Sequence, residues 1–533
     1  MLKINRQVLI PTSLSFITMS YTIKQKDKNG NMYAYLVESY WDKKKKQSRQ
    51  KRTYLGVWDE TTGTIKEKEN RRSIKTTKSY GTPYILSKIA DELDIPTRLN
   101  DAFGDIGGDI LALAFSKVIK RSSLKNIHHV MEDTFIPELC NTSNEFSSQW
   151  LSRFLEELAS KEKSLQKFHR SMISKSDKDT LAFDITSLSS HAKMIDILEY
   201  GYNRDGLDLP QINLGLVMSI GRKIPIYYKI FPGSINDVVT LKNLIIELKS
   251  SGVDSCRFIL DRGFYSQNNI NEMLKGNIEF VIPLPFNVKA GKFLISETNK
   301  DIFNPNNARR YSNDIYHVIE KDIDLFDSKV YGYVIYSKKR ESDETTAFYN
   351  RLMDIELKLD GRKIYGDPSE LINRTARGFK KHFKFNVKDG ILNVKRKPKS
   401  ITQTTNRFGK MILISSSKNN WDEVLSQYRQ RDLIEKEYKY LKQELEVMPM
   451  RVHKQETLMG LLFVFFISLI IRTHLMNRAR DAGLLDKHSV SDILLEMSKL
   501  RAVHIGGKWR LSEITKKQRT ILDALEIGLP VDP

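Results

Sequence analysis

The spacing of apolar positions changes repeatedly along the chain, and each change marks a different kind of element. Residues 21–55 carry an aromatic run at 33–41 preceded by Lys28, Asn29, Gly30 and Asn31, a turn signal, so the segment reads as a β-hairpin. A second turn holds the lysines of positions 43–46. Such a tip either reaches toward phosphates or is simply solvated, and the pattern leaves both open. From about 84 to 175 apolar residues recur every three or four positions, as in Leu86, Ile89, Ala90 and Leu93, and again in Trp150, Phe154 and Leu158, which predicts a helical module. Spacing does not reveal its function.

After residue 176 the texture shortens to β-type runs at 181–185, 212–220, 224–231, 257–260 and 280–283. The first three follow one another without helical pattern between them, as antiparallel neighbours would. Helical patterns at 238–248 and 266–274 separate the later runs, so the region predicts a mixed α/β sheet. A Lys-rich stretch from 287 to 400, with strand-like pieces at 330–336 and 383–387, is expected to form an inserted β-rich subdomain. Residues 411–415 read as a returning strand, 421–445 as one long helix and 461–471 as part of a buried apolar helix. That last run, interrupted by Ser468, falls well short of the roughly 20 residues a bilayer requires.

Length and charge narrow the class. A chain of 533 residues exceeds what one hydrophobic core normally supports, so two or more domains are expected. Lys plus Arg total 86 against 65 Asp plus Glu, a net charge of +21. That surplus favours a polyanionic partner, nucleic acid first, with charge kept for solubility as the plainer alternative. Only Cys140 and Cys256 occur, without a C-x-x-C partner, which argues against a disulfide framework or zinc finger and fits a reducing cytosol. The first 18 residues lack the pattern of a secretory signal, and Met19 offers an alternative start.

Candidate chemistry concentrates in the segment from 421. On one continuous helix Tyr428, Arg431, Glu435 and Lys442 fall within about a 60° arc, presenting a hydroxyl, a guanidinium, a carboxylate and an ammonium together. Glu437 would point away. The bland reading is a solvated face with Arg431 and Glu435 as an i, i+4 ion pair. Two aspartates weigh against it, because Asp184 and Asp261 each follow an apolar strand, where an unpaired carboxylate is costly to desolvate. Three carboxylates suit a pair of hard divalent cations that take oxygen ligands. No phosphate loop, H-E-x-x-H or G-x-S-x-G competes.

These residues resemble the DDE transposases of bacterial insertion sequences, specifically the IS-four-like group. Its helix signature Y-x2-R-x3-E-x6-K is met by Tyr428, Arg431, Glu435 and Lys442. Asp184-Ile185-Thr186 is similar to its first acidic motif, and Asp261-Arg262-Gly263-Phe264 to its second. Gly201-Tyr202-Asn203-Arg204-Asp205-Gly206, Gln211, Phe231-Pro232-Gly233, Asp237 and Pro449-Met450-Arg451-Val452-His453 resemble linking segments in the same order. Ser234 stands where an Asn is usual, and Phe408-Gly409-Lys410 replaces a more acidic turn.

The resemblance implies an α/β fold with a ribonuclease H-like catalytic core in two parts, residues 177–286 and 406–480, interrupted by a β-rich insertion at 287–405. The element pattern predicts an N-terminal β-hairpin region, 1–80, and a helical, DNA-binding region, 81–176, before the core and a helical tail, 481–533, after it, with recognition of the DNA ends placed in residues 20–175 on charge and position. The resemblance further implies that Asp184, Asp261 and Glu435 bind two Mg²⁺ or Mn²⁺ ions and carry the chemistry, while Tyr428, Arg431 and Lys442 hold DNA. The expected partners are double-stranded DNA, as terminal inverted repeats and target, and a second copy of the chain in a synaptic complex. The expected location is the bacterial cytoplasm, at the nucleoid. Expected chemistry is hydrolytic nicking followed by strand transfer from the 3′-hydroxyl through a hairpin. A silent DNA-binding descendant and a nuclease that cuts without joining are the competing readings.

Overall fold

In a computed structural model, residues 20–533 are described apart from 29, 43–44, 61–62, 67–73, 121–122, 174–179, 193–194, 202, 204–205, 236, 252, 254–255 and 444–451. Met19, Lys43, Lys44, Tyr202, Arg204, Asp205, Pro449, Met450 and Arg451, and the side chain of Asp237, therefore lie outside the described residues.

The chain divides into two units. The smaller comprises residues 1–78, 501–513 and 531–533. Its strands β1 (Ser20–Lys26), β2 (Met32–Asp42), β3 (Gln47–Asp59) and β4 (Thr64–Lys66) form an antiparallel sheet in sequence order. In the first turn the Asp27 carboxylate accepts the Asn31 backbone N–H at 2.8 Å, and Gly30 takes φ +89, a left-handed conformation that glycine adopts without steric cost. Strand β5 (Ile74–Ser79) belongs to a second sheet, completed from the far end of the chain.

The larger unit opens with helices α1 (Gly81–Glu92), α2 (Ile95–Phe103), α3 (Gly107–Ile119), α4 (Ile127–Asp133), α5 (Ile136–Leu139), α6 (Ser148–Ser160) and α7 (Glu162–Met172). Next come β6 (Thr180–Ser189), β7 (Gln211–Ser219), β8 (Ile224–Pro232), α8 (Asp237–Ser250), β9 (Arg257–Leu260), α9 (Gln267–Lys275) and β10 (Glu279–Pro283). Strands β6, β7 and β8 are antiparallel neighbours, whereas β9 lies parallel to β6 and β10 parallel to β9. Every β7 residue and all of β6 except Thr180 are buried, which a strand covered on both faces requires.

The insertion differs from the β-rich subdomain expected. After α10 (Lys289–Thr298), strands β11 (Ala308–Tyr311), β12 (Asp314–Leu325) and β13 (Ser328–Ser337) extend the core sheet, because β13 pairs with the returning strand β17 (Lys410–Ser415), which pairs with β10. The sheet order is β11-β12-β13-β17-β10-β9-β6-β7-β8. Between β13 and β17 lie α11 (Lys338–Leu359), β14 (Arg362–Lys363), α12 (Ser369–Ala376), β15 (Phe383–Lys388), β16 (Ile391–Arg396) and α13 (Pro398–Thr405). This piece has its own core, in which Phe348, Leu352, Ile355 and Leu359 line one face of α11 at helical spacing. Their lysine-rich surroundings hid that period from a reading by composition.

Helices α14 (Trp421–Arg429), α15 (Asp432–Gln443), α16 (Gln455–Asp481), α17 (Val490–Ser498) and α18 (Lys516–Ala524) complete the unit. By length and composition α16 could cross a membrane, but 89% of its most apolar window is buried in protein, so here it is a core helix. It packs on α1, α3, α6 and β8. Ser468 is accommodated because its hydroxyl donates to the carbonyls of Val464, 2.8 Å, and Ala114, 3.1 Å. The C-terminal region is not wholly helical. Strands β18 (Arg501–Ile505) and β19 (Lys508–Leu511) form a hairpin about Gly506 and Gly507, both at positive φ, and join β5 in the smaller unit.

Candidate active site

The parallel pairing of β6 with β9 places the two aspartates side by side. Register sets Ala182 opposite Ile259 and Phe183 opposite Leu260, so Asp184 and Asp261 are the next residues on strands about 4.8 Å apart. Asp184 does not end its strand as expected, since β6 runs on to Ser189; only the pairing with β9 stops there. Asp184 is buried, and its Oδ1 accepts the Ile185 N–H at 2.8 Å. Asp261 is partly exposed, and its Oδ1 accepts the Arg262 N–H at 2.6 Å. Beneath them the rings of Phe183 and Phe264 pack at 5.2 Å. Gly215 on β7 permits this floor, because a Cβ there would meet the Phe183 ring at 2.8 Å.

The single long helix expected over 421–445 is broken. Helix α14 ends at Arg429, α15 begins at Asp432, and the joint is closed by three-residue bonds: Arg431 N–H to Tyr428 O, Leu433 N–H to Gln430 O and Ile434 N–H to Arg431 O. The uniform 100° step therefore fails across the signature. Tyr428 sits in the last turn of α14, Arg431 in the joint, Glu435 in the first turn of α15 and Lys442 in its last turn.

The break delivers Arg431 between the acids. Its Nη1 lies 3.6 Å from Asp261 Oδ1, and its Nη2 donates to Glu435 Oε1 at 2.5 Å. The Tyr428 ring is 5.7 Å from the guanidinium. Burial disfavours the Arg431 cation, but Asp261, Tyr428, Glu435 and Asp184 outweigh it and hold its pKa above the ordinary value. Tyr428 is raised as well, chiefly by burial, with Asp261 and Glu435 adding to the shift and Arg431 opposing it. Arg431 Nε is buried without a hydrogen-bond partner among the described residues, an open donor in a site rich in acceptors. Lys442 lies two turns beyond Glu435 on the same face of α15.

The sequence reading missed Tyr438. This buried phenol on α15 donates to the carbonyl of Asp184 and accepts the Leu216 N–H at 3.1 Å, with Leu214 O at 3.3 Å. It ties the helix that bears Glu435 to the strand that bears Asp184. A tyrosine at a core position of the helix was its only signal in the sequence. Glu437 does face away: it is 2% exposed, and the Thr473 hydroxyl on α16 donates to it at 2.6 Å. Burial pushes its carboxyl up to about 7, against opposing effects from Thr473, Arg472 and Arg480.

The linking motifs pack beside the sheet. A Cβ on Gly201 would lie 2.1 Å from Gly233 O, and one on Gly233 would lie 2.1 Å from Gln211 O, so neither position admits a larger residue unchanged. The Asn213 amide donates to the carbonyls of Gly233, 3.2 Å, and Ile235, 3.1 Å. Ser234, the departure from the usual Asn, uses its amide and hydroxyl to bind Glu199.

Asp184, Asp261 and Glu435 are carboxylates from three elements, the donor type a hard divalent cation takes; Arg431 contacts Asp261 and Glu435 and lies in the field of Asp184. Among the described residues no three or more acidic, His or Cys side chains stand close enough together to hold a metal, and Glu435 is instead held by Arg431.

A mixed α/β core with two aspartates on adjacent parallel strands, and a glutamate on a helix pinned to the first of them, defines an acidic-site α/β protein. The sequence profile described as "Transposase DDE domain" matches residues 175–471, more than half of the chain, and the chain belongs to that family. No curated protein matches it. Among solved structures, a piggyBac transposase synaptic complex with hairpin DNA is similar over 78% of this chain and 79% of that chain, at 12% identity and a TM-score of 0.36.

Proposed function

We propose that this chain is a cut-and-paste transposase of the IS-four-like group with a ribonuclease H-like core, acting from the bacterial cytoplasm on double-stranded DNA. It nicks DNA hydrolytically at terminal inverted repeats, then joins the freed 3′-hydroxyl to target, through a hairpin on the transposon end, with two copies of the chain holding two ends. The observation that carries this reading is the in-register placement of Asp184 and Asp261 on parallel strands, with Arg431 contacting both Asp261 and Glu435.

Asp184, Asp261 and Glu435 are the residues that would hold two Mg²⁺ or Mn²⁺ ions. Such ions activate the attacking oxygen and stabilise the leaving one. The Arg431 guanidinium offsets the charge of Asp261 and Glu435, and its open Nε donor suits a phosphate oxygen. Tyr428 flanks that guanidinium, and Lys442, further along the same face, adds a point charge for the backbone. These three position DNA; the carboxylates carry the reaction.

The test incubates purified protein with labelled duplex carrying the element's own ends and Mg²⁺ or Mn²⁺, with Glu435→Ala beside wild type. Cleavage at the element boundary by wild type alone is expected, with strand-transfer products separating a transposase from a nuclease. Binding without cleavage in either protein, under both ions, would leave a silent DNA-binding protein instead.

A further inference from the structure

The smaller unit contains a feature that the catalytic reading does not use. Among the described residues, strand β1 pairs with β2 as far as Ser20 opposite Glu38, and β4 pairs with Val57 to Asp59 of β3. Beyond these limits β2 and β3 continue as a ribbon that is two-stranded among the described residues, pairing Ser39 with Gln50, Tyr40 with Arg49, Trp41 with Ser48 and Asp42 with Gln47. In this ribbon residues 47–50 of β3 are all exposed, while on β2 Ser39 and Asp42 are half-buried and Tyr40 and Trp41 are exposed. Tyr40 is 43% exposed and Trp41 62%.

Charge selects the occupant. From position 45 to 52 the chain carries Lys45, Lys46, Arg49, Lys51 and Arg52 and no acidic residue, and all five side chains are exposed. The acids nearby are Asp42, which pairs with Arg49 at 3.6 Å, and Glu38, opposite Lys51. Alternation along the strands separates two faces. Ser39, Trp41, Ser48, Gln50 and Arg52 share one, where the Gln50 amide donates to Tyr21 at 3.0 Å; Tyr40, Arg49 and Lys51 share the other. A major groove about 12 Å wide admits a two-stranded β-ribbon, and Gln, Ser and Arg are side chains that read base edges there.

We propose that the ribbon formed by residues 39–42 and 47–50 enters the major groove of duplex DNA, with the Trp41, Ser48 and Gln50 face toward base edges and Lys45, Lys46, Arg49 and Lys51 on flanking phosphates. This rests on the DNA-transposing reading above and assigns it a docking element outside the α/β core.

The full-length chain is titrated, by fluorescence anisotropy over a series of salt concentrations, with a duplex carrying the element's end and with an unrelated duplex. The variants are the triple Lys45→Ala, Arg49→Ala, Lys51→Ala, then Trp41→Ala with Gln50→Ala, each checked for wild-type secondary structure by circular dichroism. The triple variant is expected to weaken binding to both duplexes and to flatten the log K against log salt slope by about 2 to 3. The double variant is expected to lose about tenfold on the end sequence and little on the unrelated duplex. Wild type should protect guanine N7 in the end from dimethyl sulfate. Unchanged slopes and footprints overturn the proposal, as does a triple variant that binds DNA normally but loses self-association in sedimentation, since the ribbon is then an interface between copies. Wild-type cleavage with unaltered ribbon variants sinks this inference and leaves the transposase reading standing; ribbon-dependent binding without metal-dependent cleavage does the reverse.

Discussion

Replacing Tyr438 by Phe removes one oxygen and keeps the ring, so the core loses no packing volume while the tie between α15 and β6 is cut. The phenol bridges Asp184 O and the Leu216 N–H, and it is 6% exposed, so water cannot readily substitute. Stranding a buried N–H and weakening a carbonyl's partner costs about 1–3 kcal/mol. The loss falls between the strand of Asp184 and the turn of Glu435, three residues before Tyr438. Tyr438→Phe should therefore lower the melting temperature modestly, speed exchange of the Leu216 amide and raise the Mg²⁺ concentration needed for half-maximal cleavage, while end binding holds. Stability within about 0.5 kcal/mol of wild type together with an unshifted Mg²⁺ dependence would refute the clasp.

Arg431→Ala should weaken end binding and flatten its salt slope by about one, and an unchanged slope in a salt titration would count against a phosphate contact. Glu437, raised to about 7 by burial, favours the protonated folded state, so its contribution is greatest below its ordinary 4.5 and is lost as pH climbs through 7, by about 3 kcal/mol in all. Glu437→Gln should therefore melt higher than wild type at pH 8 and nearly equal to it at pH 5, which thermal scans across pH will show. Burial holds the His169 imidazole down at about 3, so the stability it lends is present above its ordinary 6.5 and lost as pH falls below that. His169→Leu should flatten the acid limb of the stability curve. Gly460→Ala sets a Cβ 2.2 Å from Leu155 O where α16 crosses α6, and should cost about 1–3 kcal/mol in denaturant melts.

Legibility followed the range of the interactions involved. The runs that became β6, β7 and β8 were visible because burial on both faces demands unbroken apolar stretches, and their order in sequence is their order in space. The break at Gln430 and Arg431 was invisible, since no Gly or Pro marks it and each residue there suits a helix. Strands β11 to β13 read as a separate subdomain because nothing local announces that β17 will pair with β13 as well as β10.

By itself the sequence determined the residue types of the acidic site, the spacing that brings Glu435 and Lys442 onto one face of α15, and the surplus of positive charge. Covalent order and local periodicity suffice for those. Only the tertiary structure decided that Asp184 and Asp261 are neighbours, that Arg431 reaches Asp261, and that the Tyr438 phenol ties the glutamate's helix to the aspartate's strand. Those contacts join residues far apart in sequence, and their partners are fixed by sheet register and side-chain packing, which no local window of the chain contains.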